Sequence, residues 1–142
     1  MPSISRQVAD LRVAGPVIEV LIAPVQLRAD DLVAHPVAHA VRVLAMIDTG
    51  ASVTAIGASV VQALALQGFG TVPVTTAATA RPASMRRFKV SVTFADGVRV
   101  VPSEVVEAPL AGDQVQCLIG RDILSAALLL YDGRASEFTL DF

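Results

Sequence analysis

Apolar and polar residues alternate along much of this chain with the period of two that is typical of β-strands. In the segment 88–94, two Phe and two Val residues alternate with Lys, Ser and Thr. Such a pattern predicts a strand with one buried face and one solvent-facing face. In the segment 41–47 both alternating faces are largely apolar, which predicts a strand that is buried on both sides.

Turn residues divide the remainder of the chain into short segments. The segment 71–94 predicts a long hairpin whose tip, residues 75–80, consists of small residues. Two apolar stretches, 59–66 and 123–130, predict short helices, and Tyr131-Asp132-Gly133 predicts a turn. Runs rich in β-branched residues predict further strands at residues 17–22, 53–56, 98–101, 104–107, 115–119 and 137–142, with a strand or loop at 25–36.

This order of elements predicts a mainly β fold. Many short strands with one or two short helices are typical of a closed or nearly closed β-barrel. The length of 142 residues corresponds to a single domain. We assign that domain to residues 15–142, after a poorly defined segment at residues 1–14 with weak helical or irregular character.

Composition narrows the classes of protein to which the chain can belong. Hydrophobic residues make up 54% of the chain, which is too apolar for a disordered protein. The net charge of -2 argues against a general nucleic-acid binder. The N-terminus lacks the apolar core of a secretory signal, and no apolar run approaches the roughly 20 residues that cross a bilayer. We therefore expect a soluble, cytoplasmic protein with no nucleic-acid or membrane partner.

The chain contains one cysteine, Cys117, so no disulfide can form within it. Leu118 and Ile119 follow this residue directly. Free cysteine in apolar surroundings behaves as a small hydrophobic residue. A buried core thiol is therefore favoured over a reactive one.

Two groups of residues could contribute to a metal site. Asp30-Asp31 could be half of one, but no ligand spacing accompanies the pair, and a solvated turn is favoured. His35 and His39 would share one face of a helix, but Pro36 lies between them and the following stretch is predicted as strand. We expect no metal and no cofactor.

The predicted hairpin carries the chain's one cluster of basic residues. Such a cluster could contact an acidic substrate or partner, although a solvated hairpin face is the favoured interpretation. Its members are Arg81, Arg86, Arg87 and Lys89.

The strongest candidate for chemistry is the sequence Asp48-Thr49-Gly50, in which a carboxylate follows an apolar strand at a sharp turn. Gly50 allows such a bend, and backbone N–H groups at the bend can reach the carboxylate oxygens. The tripeptide alone is a weak signal, because it is expected by chance in roughly a few per cent of chains of this length.

Together with two other features, this motif resembles the retroviral-type aspartic proteases, the retropepsin family. The motif with its flanks spans residues 47–52, and a candidate flap hairpin follows around residues 72–90. Residues 118–124 match the family's element of two hydrophobic residues and Gly, followed by Arg-Asp and a helix. The closing strand at 138–142 also suits the family, so the resemblance covers residues 15–142 and is greatest to bacterial members.

The resemblance implies an aspartic endopeptidase with the retropepsin barrel fold. This route to peptide hydrolysis needs two carboxylates that lie a few ångströms apart and share a proton. The chain has one Asp-Thr-Gly, and both Asp96-Gly97 and Asp132-Gly133 lack the middle residue. The second carboxylate must then be Asp48 of another copy, so the resemblance implies a homodimer acting on an extended peptide or protein substrate.

The resemblance also implies roles for residues around Asp48. Thr49 would join the two active-site loops across the dimer axis, and Gly50 would allow the backbone to approach the carboxylates and the substrate. The supporting residues would be Ala51 in the loop, Leu118, Ile119 and Gly120 packed behind it, Arg121 bracing the loop or the dimer, and Thr76, Ala77, Ala78 and Thr79 in the flap.

Two features depart from the retroviral pattern. Ser52 stands where retroviral members commonly carry an acid that pairs with the arginine of the Gly-Arg element, which leaves the partner of Arg121 open. The candidate flap tip also contains Ala and Thr in place of glycines. Two alternatives therefore stay open: a catalytically silent retropepsin-like dimer that binds peptides or protein partners, and a β-barrel in which Asp48 only caps a turn.

Overall fold

The computed structural model describes residues 2–25, 40–75, 81–110 and 114–142. Within these ranges no helix is long and apolar enough to span a membrane. The predicted strand or loop at 25–36 falls almost wholly outside the described residues. Also outside them are the candidate metal ligands Asp30, Asp31, His35 and His39 and the predicted flap-tip residues Thr76, Ala77, Ala78 and Thr79.

Short strands make up most of the described chain, with three helices of four to six residues. The helices are α1 (Leu11–Ala14), α2 (Ala58–Ala63) and α3 (Arg121–Leu124). The strands are β1 (Ser3–Gln7), β2 (Val17–Pro24), β3 (Val41–Ile47), β4 (Ala55–Ile56), β5 (Thr71–Val74), β6 (Ala83–Phe88), β7 (Val90–Phe94), β8 (Arg99–Val100), β9 (Val105–Glu107), β10 (Val115–Ile119), β11 (Leu128–Asp132) and β12 (Glu137–Asp141).

Nine strands form one mixed sheet, in the order β5-β6-β9-β4-β10-β3-β2-β7-β8. Its neighbouring strands are antiparallel except for the parallel pairs β10–β3 and β4–β9. The mainly β class is therefore confirmed. A barrel closes only when its first and last strands pair, and within the described ranges β5 and β8 each pair along one side only. The described strands thus form a curled half-barrel sheet, and the closure that the sequence predicted is not found among them.

Strand β3 occupies the predicted residues, but it is not buried on both sides. Ala45 and Ile47 are buried, whereas Leu44 on the other face is 39% exposed. The described part of the chain does not fully cover this second face. Apolar residues on both faces of a strand therefore did not imply two covered faces.

The predicted hairpin is confirmed in its arms, because β5 and β6 pair antiparallel from Thr71 with Arg86 to Val74 with Ala83. The returning arm does not continue as one strand to Phe94. It divides at Lys89 into β6, which pairs with β9, and β7, which pairs with β2. Since β7 lies between β2 and β8, Ser91 on its supposedly wet face is buried.

The C-terminal region forms a separate three-stranded sheet in the order β1-β12-β11. Here the helix predicted at residues 123–130 is wrong beyond Leu124, because residues 128–132 form β11 and pair with β12 along its whole length. A short apolar run suits a helix and a strand equally, and pairing with β12 decides between them. The predicted turn at 131–133 consequently shifts to the residues after Asp132.

The N-terminal segment is more ordered than the sequence indicated. Residues 3–7 form β1, which pairs with β12 and buries Ile4. Helix α1 follows, and the side chain of Asp10 caps it by accepting from the backbone N–H groups of Arg12 at 3.0 Å and Val13 at 3.3 Å. The partner strand β12 lies near the other end of the chain, so the local sequence did not reveal β1.

One hydrophobic core joins the two sheets. Phe88 and Phe94 fill it from the larger sheet, and Phe138 and Leu140 fill it from the terminal sheet. Cys117 belongs to the same core and is fully buried, which confirms the prediction of a core thiol.

The thiol of Cys117 is expected to be unreactive in the folded protein. Burial, and to a smaller extent the negative charge of Asp122, raises the pKa of the Cys117 thiol from 9.0 to about 12. Because the thiolate is the nucleophile, we expect a thiol reagent at mildly alkaline pH to modify the native protein at least about a hundredfold more slowly than the urea-unfolded chain. The rates can be followed by release of a chromogenic leaving group, and comparable rates would contradict this placement.

Candidate active site

Asp48 directly follows β3, at a point where the chain is held from two sides. Ile47 lies opposite Ile119 in the parallel pair β3–β10 and donates its N–H to the carbonyl of Pro16 at 3.0 Å. The N–H of Asp48 then donates to the carbonyl of Ile119 at 2.9 Å. The position of the carboxylate is therefore set by the larger sheet.

The residues after Asp48 make a tight turn around its side chain. The N–H of Gly50 donates to Oδ1 of Asp48 at 2.9 Å, and the N–H of Ala51 donates to the Asp48 carbonyl at 3.2 Å. A Cβ atom at position 50 would lie 3.1 Å from the same Oδ1, so Gly is the residue that fits without displacing the carboxylate. The side chain of Asp48 is thus oriented by its own loop and is partly accessible to solvent.

Arg121 connects this loop to the start of α3. Its backbone N–H donates to the carbonyl of Ala51 at 2.8 Å, and its Nη1 donates to the carbonyl of Thr49 at 2.7 Å. The guanidinium therefore finds a partner in a loop carbonyl, where the retroviral pattern would have supplied a carboxylate at position 52. Ser52 is exposed and stands in neither contact.

A buried hydrogen-bond network lies immediately behind the loop, and sequence reasoning missed it. The hydroxyl of Thr54, which is fully buried, donates to Oδ1 of Asp122 at 2.7 Å and accepts from the N–H of Gly120 at 3.1 Å. Asp122 Oδ2 accepts from the N–H of Thr54 at 3.0 Å, and Asp122 Oδ1 accepts from the N–H of Ile123 at 2.9 Å. The network fastens the strand after the loop to the N-terminus of α3.

The signal for this network was present in the sequence but weak. Thr54 is a polar residue in an otherwise apolar run ending at Ile56, and Asp122 completes the Gly-Arg-Asp sequence. A polar residue at a buried strand position requires a partner, but the sequence does not say which one. Only the fold brings the two residues together across 68 positions of sequence.

Gly120 allows the closest backbone contact in this region. A Cβ atom at position 120 would lie 2.6 Å from the carbonyl carbon of Val53 and 2.8 Å from its oxygen. Backbone cannot move aside as a flexible side chain can, so position 120 excludes every side chain while the loop and α3 keep this spacing. The flanking Ile119 is buried, and Leu118 is partly buried.

A second apolar cluster connects the loop region with the arms of the predicted flap hairpin. Its buried members come from β4, β6 and β9, and its partly buried members include Val53 and Leu118 beside the loop. The hairpin arms β5 and β6 contribute Val72, Val74 and Ala83. The flap-tip residues themselves lie outside the described part of the chain, so the structure relates the base of the hairpin, and not its tip, to Asp48.

Two members of the basic cluster form ion pairs within the chain. Arg86 donates to Glu107 at 2.5 Å, and the Nε of Arg87 donates to Glu104. These pairs favour the interpretation of the cluster as a solvated hairpin face over that of a site for an acidic ligand. Across the described ranges, no group of three or more His, Cys, Asp or Glu side chains is placed to hold a metal ion.

Comparison with protein families gives one match. The model of a family described as "Aspartyl protease" matches residues 39–123, which include Asp48, Thr54 and the Gly120-Arg121-Asp122 sequence. A search of curated proteins gives no significant match.

Solved structures provide further likenesses. A retropepsin-like aspartic protease from Rickettsia conorii has 19% identity and a TM-score of 0.51, with 89% of this chain and 92% of that chain covered. The EIAV protease complexed with an inhibitor also has 19% identity, with 78% and 86% covered and a TM-score of 0.43. The first likeness supports the retropepsin-like fold and, at this identity, the fold alone.

We expect the hydroxyl of Thr54 to stabilise the region behind the loop. Thr54→Val keeps the shape of the side chain but leaves the N–H of Gly120 and the carboxylate of Asp122 short of a partner, at a cost of about 1–3 kcal/mol in the free energy of unfolding. Thr54→Ser, which keeps the hydroxyl, is the matched control and should lose clearly less. Urea denaturation measures both variants, and an equal or larger loss in Thr54→Ser would show that the methyl group contributes at least as much as the hydrogen bonds.

Gly120→Ala tests the close approach of the backbone. At a permitted φ such a change commonly stabilises a protein by about 0.4–1 kcal/mol, by restricting the unfolded chain. Here the contact with Val53 should make the change destabilising, with a loss of more than about 1 kcal/mol in the free energy of unfolding. Gly133→Ala is the control, because its Cβ atom would meet only Tyr131 Cε1 at an ordinary 3.6 Å. Thermal unfolding of both variants gives the comparison, and a stabilised Gly120→Ala protein would contradict the packing described.

Proposed function

We propose that this chain, which belongs to the retropepsin-like aspartyl protease family, is an aspartic endopeptidase that acts as a homodimer. The observation that carries the proposal is the position of Asp48, which follows β3 on a turn held by Gly50 and by Arg121. A carboxylate that only capped a turn would not need its loop to be held by Arg121, which belongs to the second motif of the family, Gly120-Arg121-Asp122.

The chemistry follows from two such carboxylates placed together. Two like charges a few ångströms apart cannot both ionise, so the pair shares one proton. The ionised Asp48 takes a proton from a water molecule, and the water oxygen attacks the carbonyl carbon of the substrate. The protonated Asp48 of the partner subunit donates to the carbonyl oxygen. The first Asp48 then passes the proton from the water to the nitrogen as the C–N bond breaks, and a hydroxyl of the intermediate returns a proton to Asp48 of the partner subunit. These steps yield a carboxyl and an amino terminus and restore the shared proton.

The residues around Asp48 hold the carboxylate and leave space for the substrate. Gly50 orients Oδ1, and the absence of its side chain leaves the approach to the carboxylate open. We propose that Thr49 joins the two loops across the dimer axis, while its carbonyl accepts from Arg121 in its own subunit. Positioning of this kind reduces the motion needed to reach the transition state.

We propose an extended peptide or protein segment as the substrate. The arms β5 and β6 share an apolar cluster with Val53 and Leu118, next to the catalytic loop. We propose that an extended chain lies beside the catalytic loop, under the hairpin, and binds through backbone hydrogen bonds as an added strand. Closure of the hairpin would then exclude water from the reacting atoms.

Asp48→Asn tests whether the Asp48 carboxylate activates the attacking water. The change preserves the shape of the side chain but removes the shared proton and the base, so we expect a loss of at least about a thousandfold in kcat/KM with fold and dimer retained. The substrate is a proteome-derived peptide library, analysed by mass spectrometry beside the wild type. Equal cleavage by a folded, dimeric Asp48→Asn protein would overturn the proposal, and tight peptide binding without cleavage by the wild type would favour the silent dimer.

Subunit mixing shows whether both copies of Asp48 act in one site. If subunits exchange freely, a ninefold excess of Asp48→Asn chains leaves about a tenth of the wild-type chains in wild-type dimers. Activity per wild-type chain should therefore fall to about a tenth. Unchanged activity per wild-type chain would mean that each subunit carries a complete site.

A further inference from the structure

The larger sheet has one face on the hydrophobic core and a second face that the described residues cover only in part. Ala45 and Ile47 of β3 belong to the core. Leu44 and Met46 alternate with them along the strand and therefore lie on the second face. Leu44 is 39% exposed and Met46 is half-buried. The second face thus presents apolar side chains that the core does not use.

The second face also carries the apolar cluster beside the catalytic loop. Residues that lie opposite each other in paired strands share a face of the sheet. Leu118 lies opposite Ala55 of β4 and opposite Met46 of β3. Leu118 and Ala55 belong to the apolar cluster at the base of the hairpin, whereas Met46 comes two residues before Asp48. The second face therefore continues from that cluster, past the catalytic loop, onto β3.

The apolar surface extends from β3 to the neighbouring strand β2. Val17 lies opposite Met46, and Leu21 lies opposite Arg42 and so diagonally beside Leu44. Leu21 is 36% exposed. We call Val17, Leu21, Leu44 and Met46 the outer patch, and among the described residues neither apolar cluster includes any of the four. An exposed apolar patch with a polar rim is typical of a surface that binds a partner.

The end of the outer patch that is far from Asp48 is positively charged. Arg42 donates through Nη1 to Oε1 of Glu19 at 2.8 Å, so its charge is compensated within the chain. Thr93 lies opposite both Leu21 and Arg99, which places Arg99 in the same row across the sheet. Arg99 is exposed and has no ion-pair partner among the described residues. This end of the patch therefore favours an acidic group on whatever binds there.

We propose that the outer patch binds the part of an extended substrate that lies beyond the scissile bond. An endopeptidase cleaves within a chain, so the substrate leaves the site on both sides and continues over the neighbouring surface. The outer patch adjoins the site on the second face, because it begins at Met46, opposite Leu118. This inference rests on the proposed function, which identifies the occupant of the patch as substrate.

The geometry of β3 sets the positions that the patch can read. A strand rises roughly 3.3 Å per residue, so Leu44 lies about 13 Å and the row of Leu21 and Arg99 about 20 Å along β3 from Asp48. An extended substrate that follows β3 covers these distances in about four and about six residues. We therefore expect an apolar residue at the first position and an acidic residue at the second. In a homodimer the patch occurs once in each subunit, so both sides of the scissile bond should show these preferences.

Cleavage of a proteome-derived library of peptides of about 16 residues tests the patch, because peptides of that length can span both copies of it. Mass spectrometry gives the residue preference at each distance from the scissile bond. Leu44→Glu should remove the apolar preference and lower the kcat/KM of long peptides, relative to the same peptides truncated near the scissile bond, about tenfold. Arg99→Glu should replace the acidic preference by a basic one. The matched control is Val13→Glu, at an apolar residue of α1 that is 75% exposed, which should keep both preferences. Circular dichroism and sedimentation compare fold and dimer in all samples.

The outcomes separate this inference from the proposed function. Cleavage with the same preferences in the wild type and both variants would reject the patch and retain the protease. A less stable Leu44→Glu protein with an unchanged profile would mean that the chain itself covers this face, and would also reject the patch. If the wild type cleaves nothing, the same library is captured on immobilised Asp48→Asn protein with and without Leu44→Glu. Capture of apolar, acidic peptides that requires Leu44 would retain the patch and reject the protease, and the absence of both cleavage and capture would reject both.

Discussion

The structure around Asp48 depends on one buried interaction, the hydrogen bonds between Thr54 and Asp122. Thr54 uses its hydroxyl and its N–H, and Asp122 uses both carboxylate oxygens. An unpaired group at this depth would cost the full penalty of its desolvation, so the network has one favourable arrangement. That arrangement sets the distance between the strand after the loop and α3, and so brings the backbone of Gly120 against that of Val53. Arg121 is thereby carried to the carbonyls of Thr49 and Ala51.

The second constraint is the number of carboxylates that one chain supplies. The chemistry that we propose needs two carboxylates, and the chain offers one in an Asp-Thr-Gly sequence. On that proposal a single chain supplies half of a site, and a second copy supplies the other half. In the terminal sheet the C-terminal strand pairs on both sides within one chain.

Sequence reasoning succeeded where a short segment carries its own information. Alternating or β-branched residues located β2, β3, β10 and β12 closely, and the apolar residues Leu118 and Ile119 directly after Cys117 placed it in the core. It failed where a distant partner decides the structure. The apolar residues 126–130 were predicted as part of a helix, and β12 makes most of them a strand by pairing with them. Strand β1 was missed for the same reason, because its polar residues carry no pattern and its partner lies at the other end of the chain.

The sequence by itself determined the candidate for chemistry. Asp48, the turn that follows it and the Gly120-Arg121-Asp122 element are legible because each depends on residue type and local spacing. The tertiary structure alone decided how these parts are held: that Thr54 binds Asp122, that a loop carbonyl replaces a carboxylate as the partner of Arg121, and that the described strands form a curled half-barrel. These facts depend on contacts between residues far apart in the chain. Many partners can satisfy one donor or acceptor, so the choice among them is made only when the whole chain has packed.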